Sequence, residues 1–334
     1  MRAPEFWQHG GPAGALLAPL GALYGAAAGL RERTTTPWHA PVPILCVGNL
    51  TVGGAGKTPT ALAIARILQD WHLHVAFLSR GYGGALRGPV EVDETRHTAG
   101  DVGDEPLLLA ARAPTWIARD RKDGARVAIA GGADVLVMDD GLQNPALAKD
   151  LRLIVIDGGY GFGNGRVLPA GPLREPIARG MARASAFVLI GEDDHGLAPM
   201  LARHAPLLRA RLEPAPAARA LAGRRVFAFA GIGRPDKFFA TLDALGAVRV
   251  GTSAFADHHP YTEDDAMRLV EQASQLDATP VTTAKDFVRL PPGARNMVTV
   301  VPVELVFEDE EAIGRILRAA IAAHGARSTE HTRG

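Results

Sequence analysis

The segment Gly48-Asn49-Leu50-Thr51-Val52-Gly53-Gly54-Ala55-Gly56-Lys57-Thr58 places backbone amides, an ammonium and a hydroxyl within a few residues of one another. The apolar run Val42–Val47 precedes it and Thr60-Ala61-Leu62-Ala63-Ile64-Ala65 follows, so the order reads strand, glycine-rich loop, helix. In that order the amides of Thr51–Gly56 wrap a phosphate at a helix N-terminus, Lys57 adds charge, and Thr58 reaches a Mg²⁺ ion. The strict pattern wants glycine where Thr51 stands; Gly53 and Gly54 supply the permissive backbone instead. The bland alternative is a tight strand-to-helix turn carrying an exposed lysine.

A second strand, Val135-Leu136-Val137-Met138, ends in Asp139-Asp140-Gly141. An acid leaving a buried strand beside a phosphate loop is the usual partner of a nucleotide-bound Mg²⁺. Two adjacent carboxylates also coexist more easily with a cation between them. Phosphoryl transfer to an alcohol further needs a group that takes the hydroxyl proton. Asp104, at the mouth of a helix, and the loop Asp257-His258-His259-Pro260-Tyr261 are the candidates. Arg80, Arg121, Arg166 and Arg174 fall in or near loops, where they can clamp an anion. Lys285-Asp286 is either a late contribution to the site or a helix start.

These residues need an α/β frame, and the chain offers one. Apolar strands at Val75–Ser79, Leu153–Ile156, Phe187–Ile190, Val226–Ala230, Val248–Gly251, Pro280–Thr283 and Val298–Val301 alternate with helical stretches, which predicts doubly wound, mostly parallel sheets. Val90 and Val92 mark a short antiparallel excursion. The Pro/Ala-rich piece Glu213–Ala222 is the best internal boundary. The expected division is an N-terminal segment 1–35, a nucleotide-binding core 36–215, a smaller C-terminal α/β subdomain 216–325 and a loose tail 326–334. The Gly- and Pro-rich stretch from Gly158 to Pro176 reads as a functional loop.

The 334 residues carry 36 Lys+Arg against 36 Asp+Glu, and that zero balance argues against broad nucleic-acid binding. One cysteine, Cys46, excludes intramolecular disulfides and cysteine-cluster metal sites. From Ala13 to Leu30 there is no charged residue, yet Gly, Ala and Pro19 dilute the apolar bulk. A helix lying in a membrane interface is favoured over a core helix or a true span. A cleaved signal fits poorly, since the only basic residue ahead of the run is Arg2.

Together, Val47–Pro59, Ser79-Arg80-Gly81-Tyr82-Gly83, Gly103-Asp104-Glu105-Pro106, Asp139-Asp140-Gly141-Leu142-Gln143, Pro172-Leu173-Arg174-Glu175, Asp257-His258 and Thr283-Ala284-Lys285-Asp286 resemble the ordered motifs of the tetraacyldisaccharide 4′-kinase family. The likeness runs from the apolar N-terminus to about residue 290. It implies ATP-dependent phosphorylation of the 4′-hydroxyl of a tetraacyl disaccharide 1-phosphate, the lipid A precursor, giving lipid IVA at the cytoplasmic face of the inner membrane. It implies ATP and Mg²⁺ as cofactors, a membrane surface as partner and no obligate protein partner. By the same resemblance, Asp104 and His258 form the catalytic pair, and Thr51–Thr58 bind ATP. Thr58, Asp139, Asp140 and Glu175 surround the metal, and Tyr82, Arg121 and Arg174 meet the substrate. Asn144 departs from the family, which often has histidine there. A nucleotide-dependent switch protein and an ATP-dependent ligase are the competing readings.

Overall fold

The computed structural model describes residues 4–331, with side chains through Arg327. Nine strands form the main sheet: β1 (Ile44–Gly48), β2 (Val75–Ser79), β3 (Val90–Glu91), β4 (Thr115–Ile117), β5 (Val135–Asp139), β6 (Leu151–Asp157), β7 (Ala186–Ile190), β8 (Leu207–Pro214) and β13 (Val303–Phe307). Their spatial order is β13-β8-β7-β6-β1-β5-β2-β4-β3. All neighbours are parallel except β13 on β8 and the expected excursion β3 on β4. Strands β1, β2, β5 and β7 are buried at every position, which is why they read as unbroken apolar runs rather than alternations.

β1 lies between β5 and β6, so the chain winds outward from it in both directions. In open α/β sheets, ligands collect at the strand ends where winding reverses. Val47 pairs with Asp139 here, which brings the glycine-rich loop and the two acids to the same crevice. Ala61, Ile64 and Leu68 of helix Lys57–Asp70 seat that helix against one face of the sheet, together with Ile313 and Leu317 of the last helix. Ala125, Ala128, Met181 and Leu201 cover the other face.

A second, all-parallel sheet, β10-β9-β11-β12, comprises β9 (Arg225–Ala230), β10 (Val248–Ala254), β11 (Thr279–Thr283) and β12 (Thr299–Val301). It is inserted between the antiparallel neighbours β8 and β13, and Ala215 N–H donates to the Pro302 carbonyl where the chain leaves and returns. This corrects the expected division at its end. The subdomain closes near residue 302, and residues 303–331 rejoin the core rather than belonging to it. The tail expected to be loose from residue 326 continues the helix Glu310–His331; residues 332–334 lie outside those described.

The N-terminal segment is a 23-residue helix, Pro12–Thr34, with Pro19 inside it. Its buried positions are all glycine: Gly14, Gly21, Gly25 and Gly29. They let the backbone ride closely over the 164–179 loop, where a Cβ at Gly21 would sit 2.6 Å from the Val167 carbonyl oxygen. The opposite side carries exposed Leu16, Leu20, Leu23, Tyr24 and Leu30. The helix is thus inverted for a soluble protein, small residues inward and leucines outward.

Candidate functional site

The loop between β1 and helix Lys57–Asp70 is held open by backbone. Gly53 and Gly56 have φ of 111° and 90°, and a Cβ at Gly56 would also collide with Ile190 Cδ1 at 2.4 Å. Of the two glycines expected to be permissive, Gly53 takes positive φ and Gly54 does not. Thr51, the departure from the strict pattern, makes an antiparallel bridge with Leu173, and Val52 N–H donates to the Pro172 carbonyl. The first turn is therefore fixed from outside by the 172–175 segment. Ala55 packs inward, and Val52 points out.

Lys57 is 6 % exposed, and its Nζ lies 3.6 Å from Asp140 Oδ2. Thr58 donates its hydroxyl to Asp139 Oδ2 at 2.9 Å, while buried Asp139 Oδ1 has no partner. Burial, with Glu105 adding to it, pushes the Asp139 carboxyl up. Burial would raise Asp140 as well, but Lys57 and Arg174 outweigh it and hold it down. Arg174 Nη1 donates to Asp140 Oδ1 at 2.7 Å. Arg174, expected to meet the acceptor substrate, thus shares Asp140 with Lys57.

The remaining metal candidate, Glu175, is 2 % exposed and occupied. Arg183 Nη2 donates to both its oxygens, and Gln143 Nε2 donates to Oε1 at 3.0 Å. Among the described residues no group of three or more His, Cys, Asp or Glu side chains converges to hold an ion. An orphaned carboxylate oxygen on Asp139 beside the Thr58 hydroxyl does suit a small hard cation shared with phosphate oxygens.

Asp104 and His258, 154 residues apart, meet where the helix that Asp104 opens meets the loop after β10. His258 Nδ1 is 3.0 Å from Asp104 Oδ2. Asp104 opens helix Asp104–Ala110 and is 4 % exposed. Its burial would raise its pKa, but His258, Lys285 and Arg289 reverse that and hold it at about 2. The hydrogen bond to Asp104 in turn raises His258 against its partial burial. With Nδ1–H given to Asp104, Nε2 is left as the proton-accepting nitrogen, 3.9 Å from Asp257 Oδ1. His258 holds φ of 58°, an uncommon region for its type. Its N–H donates to the Gly231 carbonyl, which locks that turn.

Asp286 braces the same turn from behind. Fully buried, it accepts from Gly231 N–H at 2.7 Å, Tyr261 Oη at 2.8 Å and Thr283 Oγ1 at 2.6 Å. Lys285 donates to Glu105 Oε1 at 2.8 Å, tying the subdomain to the helix that carries Asp104. The Lys285-Asp286 pair is thus both helix start and site support. Arg289, which no motif announced, places Nε 3.4 Å from Asp104 and donates Nη1 to the Gly231 carbonyl. Only its spacing of three from Asp286 hinted at a shared face.

Tyr82 is exposed, its ring edge-on to His258 with centroids 6.3 Å apart. Arg121, first residue of helix Arg121–Ala130, is 3 % exposed and donates to the Ala118 carbonyl. Burial, then Arg80, draws it down to about 10. Arg80 is exposed, and Arg166 enters the loop through its backbone. Asn144 turns away: its Oδ1 accepts from Ala146 N–H at 2.9 Å, capping a local turn.

The constellation is that of a phosphoryl transferase with a hydroxyl acceptor, and comparisons with known proteins agree. The family model described as LpxK, tetraacyldisaccharide-1-P 4′-kinase, matches residues 13–322. A tetraacyldisaccharide 4′-kinase of Rhodospirillum centenum is 55 % identical over 325 residues, covering 95 % of this chain and 96 % of that protein. One from Rhodospirillum rubrum is 55 % identical over 321 residues, covering 95 % and 97 %. A solved structure of LpxK from Aquifex aeolicus in complex with ATP superposes with a TM-score of 0.74 at 26 % identity, over 92 % of this chain and 99 % of that one.

Proposed function

This chain belongs to the tetraacyldisaccharide 4′-kinase family, and from that premise we propose how its residues perform the transfer. It is an ATP-dependent kinase that phosphorylates the 4′-hydroxyl of tetraacyldisaccharide 1-phosphate in lipid A biosynthesis. The amides of Thr51–Gly56 and the Lys57 ammonium hold the β- and γ-phosphates. Arg174, already beside Lys57 at Asp140, adds a second cation where charge builds on the transferred group.

Thr58, Asp139 and Asp140 would hold Mg²⁺, which supplies charge neutralisation across the phosphates. Glu175 joins them only by giving up Arg183.

His258 Nε2 accepts the proton of the 4′-hydroxyl as that oxygen bonds to the γ-phosphorus and the bond to the β–γ bridging oxygen breaks, releasing ADP. Asp104 fixes the ring tautomer and steadies the imidazolium. The observation that carries this assignment is the 3.0 Å contact between His258 Nδ1 of the subdomain and Asp104 Oδ2 of the core. Tyr82, exposed and edge-on to His258, and Arg121, a buried and anchored cation, would meet the acceptor.

The outward leucines of helix Pro12–Thr34, whose most apolar 18 residues have a mean hydropathy of 1.5, dock the enzyme peripherally on the cytoplasmic face of the inner membrane, where its acyl substrate lies. Incubation with γ-labelled ATP and the lipid acceptor tests the whole reading. Label should move to lipid; release into water alone would favour a nucleotide switch, and a transient acyl phosphate would favour a ligase.

A further inference from the structure

Glu175 and Arg183 lie in a segment clamped between two elements that share no sequence motif. On one side, residues 172–174 pair with the nucleotide loop: Thr51 bridges Leu173, Val52 N–H donates to Pro172, and Arg174 N–H donates to Leu50. On the other, residues 176–183 carry the N-terminal helix, with Pro176 packed at Gly25 and Arg179 Nη1 donating to the Gly25 carbonyl at 3.1 Å.

A line of charge runs through the clamp. Arg183 Nη1 donates to Glu32 Oε1 of the N-terminal helix at 2.5 Å, and its Nη2 holds both oxygens of Glu175. Glu175 accepts from Gln143 Nε2, and that same nitrogen donates to the carbonyl of Asn49 at 3.0 Å, where the nucleotide loop begins. The guanidinium is suited to this, since its planar fork serves two carboxylates at once. Nothing in the transfer chemistry requires Glu32 or Arg183. Yet the two are spent joining an apolar helix to the loop that holds ATP.

We infer that Arg183 is a positioning residue that couples the seating of the N-terminal helix, through Glu32, to the geometry of the nucleotide loop, through Glu175 and Gln143. A helix seated against the body holds Arg183, and Arg183 sets the start of the loop. A displaced helix loosens the loop and weakens nucleotide binding without touching the base. Nucleotide use would thereby depend on the element that meets the lipid surface. The inference rests on the assignment of residues 51–58 to ATP.

The test uses the full-length enzyme with detergent-dispersed acceptor, so that membrane access is not limiting. Glu32→Gln keeps the side-chain shape and leaves Arg183 paired with buried Glu175, so it folds. It should raise KM for ATP by about threefold or more, with kcat and KM for the lipid changed less than about twofold, which is the mark of lost ground-state nucleotide binding. Arg183→Met should raise KM for ATP by about tenfold or more, and Arg183→Lys should recover only part of that. Dissociation of a fluorescent ATP analogue should move in parallel. In the Arg183→Met background, Glu32→Gln should add nothing, because groups acting through one another are not additive. Multiplicative effects of the two changes, a loss confined to kcat, or an unchanged KM for ATP in Glu32→Gln would each overturn the inference. So would a lower KM, which would mean that Arg183 withholds Glu175 from the nucleotide. Failure of every variant and of the wild type to bind the analogue would instead strike at the nucleotide assignment itself.

Discussion

Replacing Asp104 by asparagine removes a charge and keeps a shape. Asp104 is 4 % exposed and ionised far below neutrality, and its Oδ2 is 3.0 Å from His258 Nδ1. A hydrogen bond to a charged group is worth about 1.5–3 kcal/mol. Losing it should lower the His258 pKa, since the bond to the Asp104 carboxylate is what raises it. The sign follows from the base role. Only neutral imidazole accepts the hydroxyl proton, so kcat rises with pH through the His258 pKa, which Asp104 holds above its ordinary value. In Asp104→Asn that rising limb should move to lower pH while its plateau falls by about 10²–10⁴, because the weaker base has lost its orienting partner. The measurement is kcat against pH from about 5 to 9 at saturating ATP, alongside imidazole NMR titration of His258. A limb that stays in place, or one that moves to higher pH, would refute the proton-accepting role of His258.

Lys57→Ala should leave melting behaviour near wild type while lowering kcat by about 10²–10³, since it removes a charge at the phosphates rather than core packing. Activity within about threefold of wild type would sink the assignment. Asp286→Ala strands the Gly231 amide, Tyr261 and Thr283 in the interior and leaves Arg289 without one partner, so it should cost about 3–5 kcal/mol in denaturant unfolding. The combined change of Leu16, Leu20 and Leu23 to serine spares the inward glycines and should move the enzyme from the membrane pellet to the supernatant. At about 1.5 kcal/mol for each leucine no longer buried, roughly 4–5 kcal/mol of membrane affinity is removed.

The nucleotide loop and the Asp139-Asp140 strand end were legible because their chemistry is local: glycine, lysine and threonine at fixed spacing, and an apolar run stopped by acids. The meeting of Asp104 with His258 was not, because contacts 154 residues apart leave no trace in spacing; the family resemblance supplied it. Short or partly exposed strands escaped for a different reason. β4 has only three residues, β8 is partly exposed and follows Pro206, and β13 is parted from β12 by Pro302 alone. The return of β13 to β8 is what moved the subdomain boundary back to residue 302. Arg183 and Arg289 were invisible for the same reason as the Asp104 and His258 pair, and Gln143 stood in a family motif without a role. Each is an ordinary polar residue in sequence and takes its meaning from partners on other elements.

The central claim is that Asp104 and His258 act as one unit in taking the acceptor proton. A double-mutant cycle on kcat tests it most directly, using Asp104→Ala, His258→Ala and the pair, with KM for ATP as the control. If they act together, each single change lowers kcat by about 10² or more, the double mutant loses little beyond the larger of the two, and KM for ATP is little changed. Losses that multiply in the double mutant would contradict the pairing and assign the two residues separate tasks.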